Sequence, residues 1–296
     1  MSIRFYCPTC DALIAFHQKH AGKHARCLSC GQVLIIPSKD NEVPQKIEPQ
    51  PQTTRPLPGF YHALFLDTFK IFFRTENLTS LTFVLALVCF KFFIAWPMCC
   101  DLLTFLVVWA CLLGFYLNII YETAFGIDAL PQIYLGTTIN FAWNLIKPFI
   151  IFLYTAFIAL LPFFIAAGIL HNKGITFENI LLPGLGLHSI LQILFLLGLF
   201  LFPMAIITTA VGKDISLLRP DYLLAPILKA PIHYIAPVAL LAAAVILQTK
   251  TIQYQPAPWI KTAAHLTLNI AAQIVAIIAM RSIGLFYRHH TCYIKW

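Results

Sequence analysis

Charge is what this chain has least of: Asp, Glu, Lys and Arg together make up 11% of its 296 residues, and only 12 are acidic. With 59% of residues hydrophobic, that scarcity excludes a water-soluble globular protein, so most of the length is expected to be solvated by lipid. The opening MSIRFYCPTC lacks the apolar stretch and small-residue cleavage site of a signal peptide, and the first apolar run is expected to direct the chain to the membrane. No carboxylate falls deep within an apolar run, which removes the usual proton relay or cation site. His188, His233 and His265 have no Glu at metalloprotease spacing. Glu122, Asp128, Asp214 and Asp221 have no glycine-rich phosphate cradle beside them, and no internal repeat points to a transporter. Without a nucleophile and base at membrane depth, the chain is expected not to be an enzyme.

Cysteine, by contrast, is concentrated near the start. Cys7/Cys10 and Cys27/Cys30 form two Cys-x-x-Cys pairs separated by the sixteen residues 11–26, a spacing that predicts a four-thiolate zinc ribbon. Each pair closes a knuckle around a tetrahedral Zn2+, and Gly31 suits such a turn because it tolerates positive φ; Asp11 stands at the equivalent place in the first knuckle. His17, His20 and His24 lie between the knuckles, but four thiolates already fill the shell. A thioredoxin-type reading of Cys7-Pro8-Thr9-Cys10 needs a βαβ context that the second knuckle and a proline-rich segment deny. Thiolate ligands persist in a reducing compartment, which predicts a cytoplasmic N-terminus. Phe5, Leu13, Val33 and Ile35 are expected to cover the metal, whose binding supplies the folding free energy that so short a segment lacks. Of the other cysteines, Cys89 and Cys111 sit in apolar runs as small hydrophobes, Cys99 and Cys100 in a short outer turn, and Cys292 in the tail.

The string RFYCPTC...AGKHARCLSCGQVLIIP resembles the short zinc ribbon found at the N-termini of many bacterial membrane and signalling proteins. That family has a CPxC knuckle, an AGK followed by a basic residue and a second CxxCG, then an aliphatic-Pro exit. Cys7, Pro8, Cys10, Ala21, Gly22, Lys23, Arg26, Cys27, Cys30, Gly31 and Pro37 match, and Asp11 departs where the family usually has Gly. The resemblance covers about an eighth of the chain and implies a zinc-binding adaptor with no activity attached.

Residues 38–58 carry Pro44, Pro49, Pro51, Pro56 and Pro58 among polar residues, a semi-extended linker. From 59 to 74, apolar Phe60, Tyr61, Leu64, Phe65, Phe69, Phe72 and Phe73 oppose Asp67, Lys70 and Arg74, which predicts an amphipathic helix in the membrane interface or packed on the inner rim of a bundle. Six runs of spanning length follow: 78–97, 102–121, 148–170, 187–211, 232–248 and 263–280. Pro97, Pro162, Pro203 and Pro237 are expected to kink or end helices. The predicted architecture is a small β zinc ribbon (1–37), the linker, the interfacial helix, an all-α polytopic bundle of six transmembrane helices (78–285) and a cytoplasmic tail (286–296).

Positive charge tests the orientation. With the ribbon inside, Lys70, Arg74, Lys147, Lys213, Arg219, Lys229, Arg281, Arg288 and Lys295 flank the cytoplasmic side, nine against the four outer residues Lys91, Lys173, Lys250 and Lys261. That asymmetry predicts an inner-membrane protein with both termini in the cytoplasm. Trp96, Trp143 and Trp259 fall near predicted interfaces, and Lys91 is expected to snorkel outward from its span. The loops 122–147 and 212–231 are expected to lie on the inner membrane surface. FGIDALP and FPMAIITTAVGKDISLLRPDYLLAPILKAPIHY resemble Yip-like, DUF-type six-span bacterial membrane families across residues 60–285, a resemblance that implies no catalytic residues.

Inside the spans, His265, Asn269 and Gln273 recur every four residues and share one helix face; His188 and Gln192 repeat the spacing. Such a stripe either joins helices by hydrogen bonds or lines a path for a solute, and the first is favoured here because no acidic residue accompanies it. The expected function is a non-catalytic membrane protein, surrounded by lipid, whose ribbon recruits a cytosolic protein; the alternative is a transporter or pore regulated by the ribbon. Nucleic acid is a poor fit to Lys19, Lys23 and Arg26, which lack interleaved aromatics for base stacking.

Overall fold

The computed structural model describes residues 2–7, 13–17, 20–26, 33–37, 55–94, 101–131, 139–171, 187–212, 219–252 and 258–294. The chain divides into two compact units, Met1–Arg55 and Pro56–Trp296.

The first unit is built from two antiparallel hairpins: β1 (Ser2–Tyr6) pairs with β2 (Leu13–His17), and β3 (His24–Arg26) with β4 (Val33–Ile35). Side chains alternate across a strand, so Ile3, Phe5 and Cys7 point to one side, where they meet Ile14, Ala25, Leu34 and Ile36 in a single apolar cluster. Phe5 is buried as expected, but the expectation for β4 falls one residue off: Leu34 and Ile36 take the inner face and Ile35 is half-buried. A period of two makes a one-residue error an exchange of faces. Between the hairpins Gly22 has φ 75°, donates its N–H to the Ile36 carbonyl at 2.9 Å, and Lys23 accepts from the Ile36 N–H at 3.0 Å. The glycine of the AGK triplet thus occupies a left-handed position that side chains disfavour.

The second unit is helical. Its elements are α1 (Phe60–Ile71, with a π turn over Ala63–Asp67), α2 (Leu78–Ile94), α3 (Asp101–Ala124), α4 (Ile139–Ala159), α5 (Leu161–His171), α6 (Leu187–Ile207), α7 (Pro220–Lys229), α8 (Pro231–Ile252) and α9 (Trp259–His290). The long α9 is the central packing element, lying along α8 and α3 and also touching α1, α2 and α6. Its approach to α3 depends on Gly284: a Cβ there would stand 2.7 Å from both the Ile120 carbonyl oxygen and the Thr123 Cβ. Gly198 of α6 plays the same part where the chain passes from α4 to α5, since a Cβ would meet the Ala159 oxygen at 2.8 Å.

Four segments are long and apolar enough to cross a membrane: Leu106–Ala124, Ser189–Val211, Pro231–Thr251 and Trp259–Tyr293. Two bent pairs, Phe60–Ile71 with Thr75–Phe90 (69°) and Ile146–Ala159 with Leu161–Leu170 (62°), bring the number to six if each is one span. Large apolar side chains such as Ile169, Ile193, Leu196 and Ile246 face outward from the bundle, as lipid solvation requires. The chain is therefore a multi-pass membrane protein.

Several expected boundaries shift. The run 148–170 is broken rather than straight, because Pro162 has no N–H to give and its ring crowds the preceding turn; it sits near the start of α5 instead. Pro203 and Pro237 remain inside α6 and α8, and α6 gives way after Ile207 to a π turn over Thr208–Gly212. The supposed loops contain helix: α4 begins at Ile139, and α7 starts with Pro220 as its first residue. Between α3 and α4 the chain stops cleanly. Gly126 has φ 84°, and the bonds from Ile127 N–H to the Glu122 carbonyl and from Gly126 N–H to the Thr123 carbonyl cap the end of α3 in a Schellman motif.

Helix α1 also differs from its expected form. Phe60, Leu64, Thr68 and Ile71 are buried against the bundle, while Tyr61, Phe65, Phe69 and Phe73 are exposed. It carries two apolar faces, one packed on the bundle, as the second expectation had it, and one exposed.

Candidate functional site

Cys7 directly follows β1, with its side chain buried in the apolar cluster of the first unit. Cys10, Cys27 and Cys30, with Asp11 and Gly31, lie outside the described residues, and among the described residues no group of three His, Cys, Asp or Glu side chains is arranged to hold a metal. The strand registers nonetheless constrain where the pairs fall in the chain. Tyr6 pairs with Leu13 and Arg26 with Val33, so the connecting segments are 7–12 and 27–32. Each is six residues long and has cysteine at its first and fourth positions.

In the bundle, the stripe on α9 meets partners on α3 and α8. His265 Nε2 lies 2.9 Å from the Thr251 carbonyl oxygen, and Asn269 Nδ2 donates to the His265 carbonyl at 3.0 Å within its own helix. Gln273 joins three helices: Tyr116 Oη of α3 donates to its Oε1, and its Nε2 donates to Gln248 Oε1 of α8 at 3.2 Å. Asn269 and Gln273 are buried. The arrangement is that of a hydrogen-bonded seam, and the buried Gln248 Nε2 has no hydrogen-bond partner among the described residues. Gln192 is half-buried on α6, and the side chain of His188 lies outside the described residues. The side chain of Lys91 and residues 95–100, with Trp96, Cys99 and Cys100, lie outside them as well; Trp259 is exposed at the start of α9.

The strongest polar feature was not visible as such in the sequence. The expected sixth span ended at 280 and counted Arg281 among the basic residues flanking the cytoplasmic side, but α9 continues to His290 and Arg281 is only 2% exposed. Its Nη2 donates to Asp128 Oδ1 at 2.9 Å and its Nε to Thr68 Oγ1 at 3.2 Å, while Arg288 Nη1 reaches the same Asp128 oxygen at 3.3 Å. The network ties α1, the α3–α4 connection and α9 together. One signal was available: Arg281 and Arg288 are seven residues apart, two helical turns, and therefore share a face. Nearby, Asn77 Oδ1 accepts from the Leu130 N–H and Asn77 Nδ2 donates to the Ile71 carbonyl, both at 2.9 Å, and Ser80 Oγ donates to the Pro131 carbonyl at 2.7 Å. These bonds hold the bend between α1 and α2 against the same connection.

A second group of residues gathers where α9 ends and α8 begins. The Phe60 ring stands edge-on to His233, His289 and His290, with centroids 5.5, 5.8 and 5.7 Å away. The His233 and His290 rings are 4.9 Å apart. Leu57 is clamped to His289, receiving a bond from its ring Nδ1 side at 3.1 Å and donating its own N–H to the His289 carbonyl at 2.9 Å. Neither His233 nor Phe60 stood out in the sequence as part of a cluster, since the contacts cross more than 170 residues.

No family model, no curated protein and no solved structure matches this chain.

Proposed function

We propose that this protein is a non-catalytic integral membrane protein whose N-terminal unit is a zinc ribbon that recruits a cytosolic protein, while the helical unit anchors it in the inner membrane. The observation that carries the reading is the equivalence of the two hairpins: each connects its paired strands through six residues with cysteine at the first and fourth. Two such connections supply the four thiolates of a tetrahedral structural site, Cys7, Cys10, Cys27 and Cys30, and Zn2+ there closes the shell and leaves no position for catalysis. The small cluster around Phe5 and Leu34 is too slight to hold the hairpins by itself, so the metal supplies the remaining stability. In the bundle, the buried side chains of the α9 stripe are hydrogen-bonded, Asn269 within α9 and Gln273 to α3 and α8, which supports an anchoring role over a conducting one. The excess of basic residues on one side supports a cytoplasmic location for both termini.

The test uses the full-length protein in detergent. One zinc per chain is expected, lost on replacing Cys27 and Cys30 by Ser, together with zinc-dependent capture of a defined cytosolic protein. Unchanged zinc content in that variant rejects the ligand set. Passage of a solute through reconstituted vesicles, with no zinc-dependent partner, replaces this reading by that of a transporter.

A further inference from the structure

Where α9 ends and α8 begins, the helical unit forms a half-open cavity of about 260 Å³. Segment 56–60 forms one wall, and Lys229, His233, His290 and Tyr293 supply the polar lining. Among the described residues, none that lines it carries a carboxylate. The acidic side chains with described ion pairs are engaged elsewhere: Asp67 with Lys70 and His62, Asp128 with Arg281 and Arg288, Asp221 with Arg219. Lys229 is exposed, rests its Nζ 5.5 Å from the centroid of the Tyr293 ring, and has no ion-pair partner among the described residues.

The cavity is also held open by its frame. The two bonds between Leu57 and His289 fix segment 56–60 over the end of α9, Gly59 turns with φ 87° to launch α1, and the Phe60 ring packs edge-on against His233 and His290. On the outer lip, Leu228 and Ile232 are more than 70% exposed. A cationic recess beside outward-facing apolar side chains has the composition of a surface that meets phosphate and hydrocarbon together.

We propose that this cavity binds a phosphate-bearing anion, with Lys229 contributing the charge and the His233 ring contributing an N–H donor, while the His290 ring, whose Nδ1–H is donated to the Phe286 carbonyl, serves as a wall. An anionic phospholipid headgroup and a free phosphate share this chemistry. The apolar lip formed by Leu228 and Ile232 fits the first, and the experiment separates the two.

Thermal unfolding of the full-length protein in detergent is followed with phosphatidylglycerol, with phosphatidylcholine, and with inorganic phosphate at matched ionic strength. The site predicts stabilisation by phosphatidylglycerol or phosphate well above that by phosphatidylcholine. In Lys229→Gln and His233→Gln the half-effective concentration should rise about tenfold, the loss of one charge-assisted hydrogen bond, while Lys70→Gln, the same charge change outside the cavity, should leave it unchanged. Stabilisation by the lipid alone identifies a headgroup site, and stabilisation by inorganic phosphate without lipid identifies a soluble ligand; both support the proposal. Equal responses in wild type and Lys229→Gln, or no stabilisation by either anion, overturn it. Lys229 is exposed, so its variant folds and keeps the test decisive even where His233→Gln lowers stability by itself.

Discussion

Arg281 Nη2 lies 2.9 Å from Asp128 Oδ1, although 153 residues separate the two in the chain. One partner is almost fully buried and the other is 45% exposed, so the pair works as an anchor that the α3–α4 connection presents to a cation inside the bundle. Arg288 and Thr68 complete the arrangement, and the bend between α1 and α2 is bonded to the same connection.

Removing one partner is therefore expected to cost more than removing both. Asp128→Asn leaves a buried guanidinium without its counter-charge and should lower stability by about 1–3 kcal/mol, discounted from the fully buried case for the exposure of Asp128. Asp128→Asn combined with Arg281→Met should recover part of that loss. Thermal unfolding in detergent of the single and double variants checks it, and equal losses in the two would show that the pair is not coupled.

The contact between α9 and α3 has no room for a methyl group at 284. Gly284→Ala should destabilise the helical unit by about 1–3 kcal/mol, because the obstructing atom is the backbone oxygen of Ile120 and cannot rotate away. Gly168→Ala, where a Cβ meets nothing within 4 Å among the described residues, is the matched control and should be neutral or slightly stabilising. Detergent unfolding midpoints of the two variants separate these outcomes.

Gln273 is expected to be structural. Gln273→Leu leaves the Tyr116 hydroxyl and the Gln248 side chain without their shared partner and should cost about 1–2 kcal/mol, with no effect on solute permeability. Single cysteines at 265, 269 and 273 should resist a water-soluble maleimide. Reaction at all three would reveal a hydrated path and favour the transporter reading.

Metal removal should divide the molecule. Chelation is expected to abolish the protection of hairpin amides from hydrogen exchange while α3, α8 and α9 keep theirs, since the two units have separate cores. Simultaneous loss in both units would contradict that division.

Orientation is testable with native thiols. An impermeant reagent applied to intact cells should reach Cys99 and Cys100 and spare Cys292, and the reverse pattern would invert the proposed topology.

What the sequence determined by itself was local or compositional. Low charge and runs of about twenty apolar residues specify a lipid-solvated chain, because the hydrocarbon thickness sets the length of a span without reference to any partner. The left-handed position of Gly22 in the AGK triplet is likewise short-range, since such a turn closes within a few residues. The every-fourth spacing of His265, Asn269 and Gln273 put them on one face before any neighbour was known. Tertiary structure decided what those faces meet. It buried Arg281 by extending α9 through Asp128 and Thr68 contacts, gave α1 a second apolar face, bent the run around Pro162, and gathered His233, His289 and His290 around Phe60. Each of these depends on helices far apart in the chain approaching within hydrogen-bonding or van der Waals distance, and periodicity along one helix carries no information about which other helix it will touch.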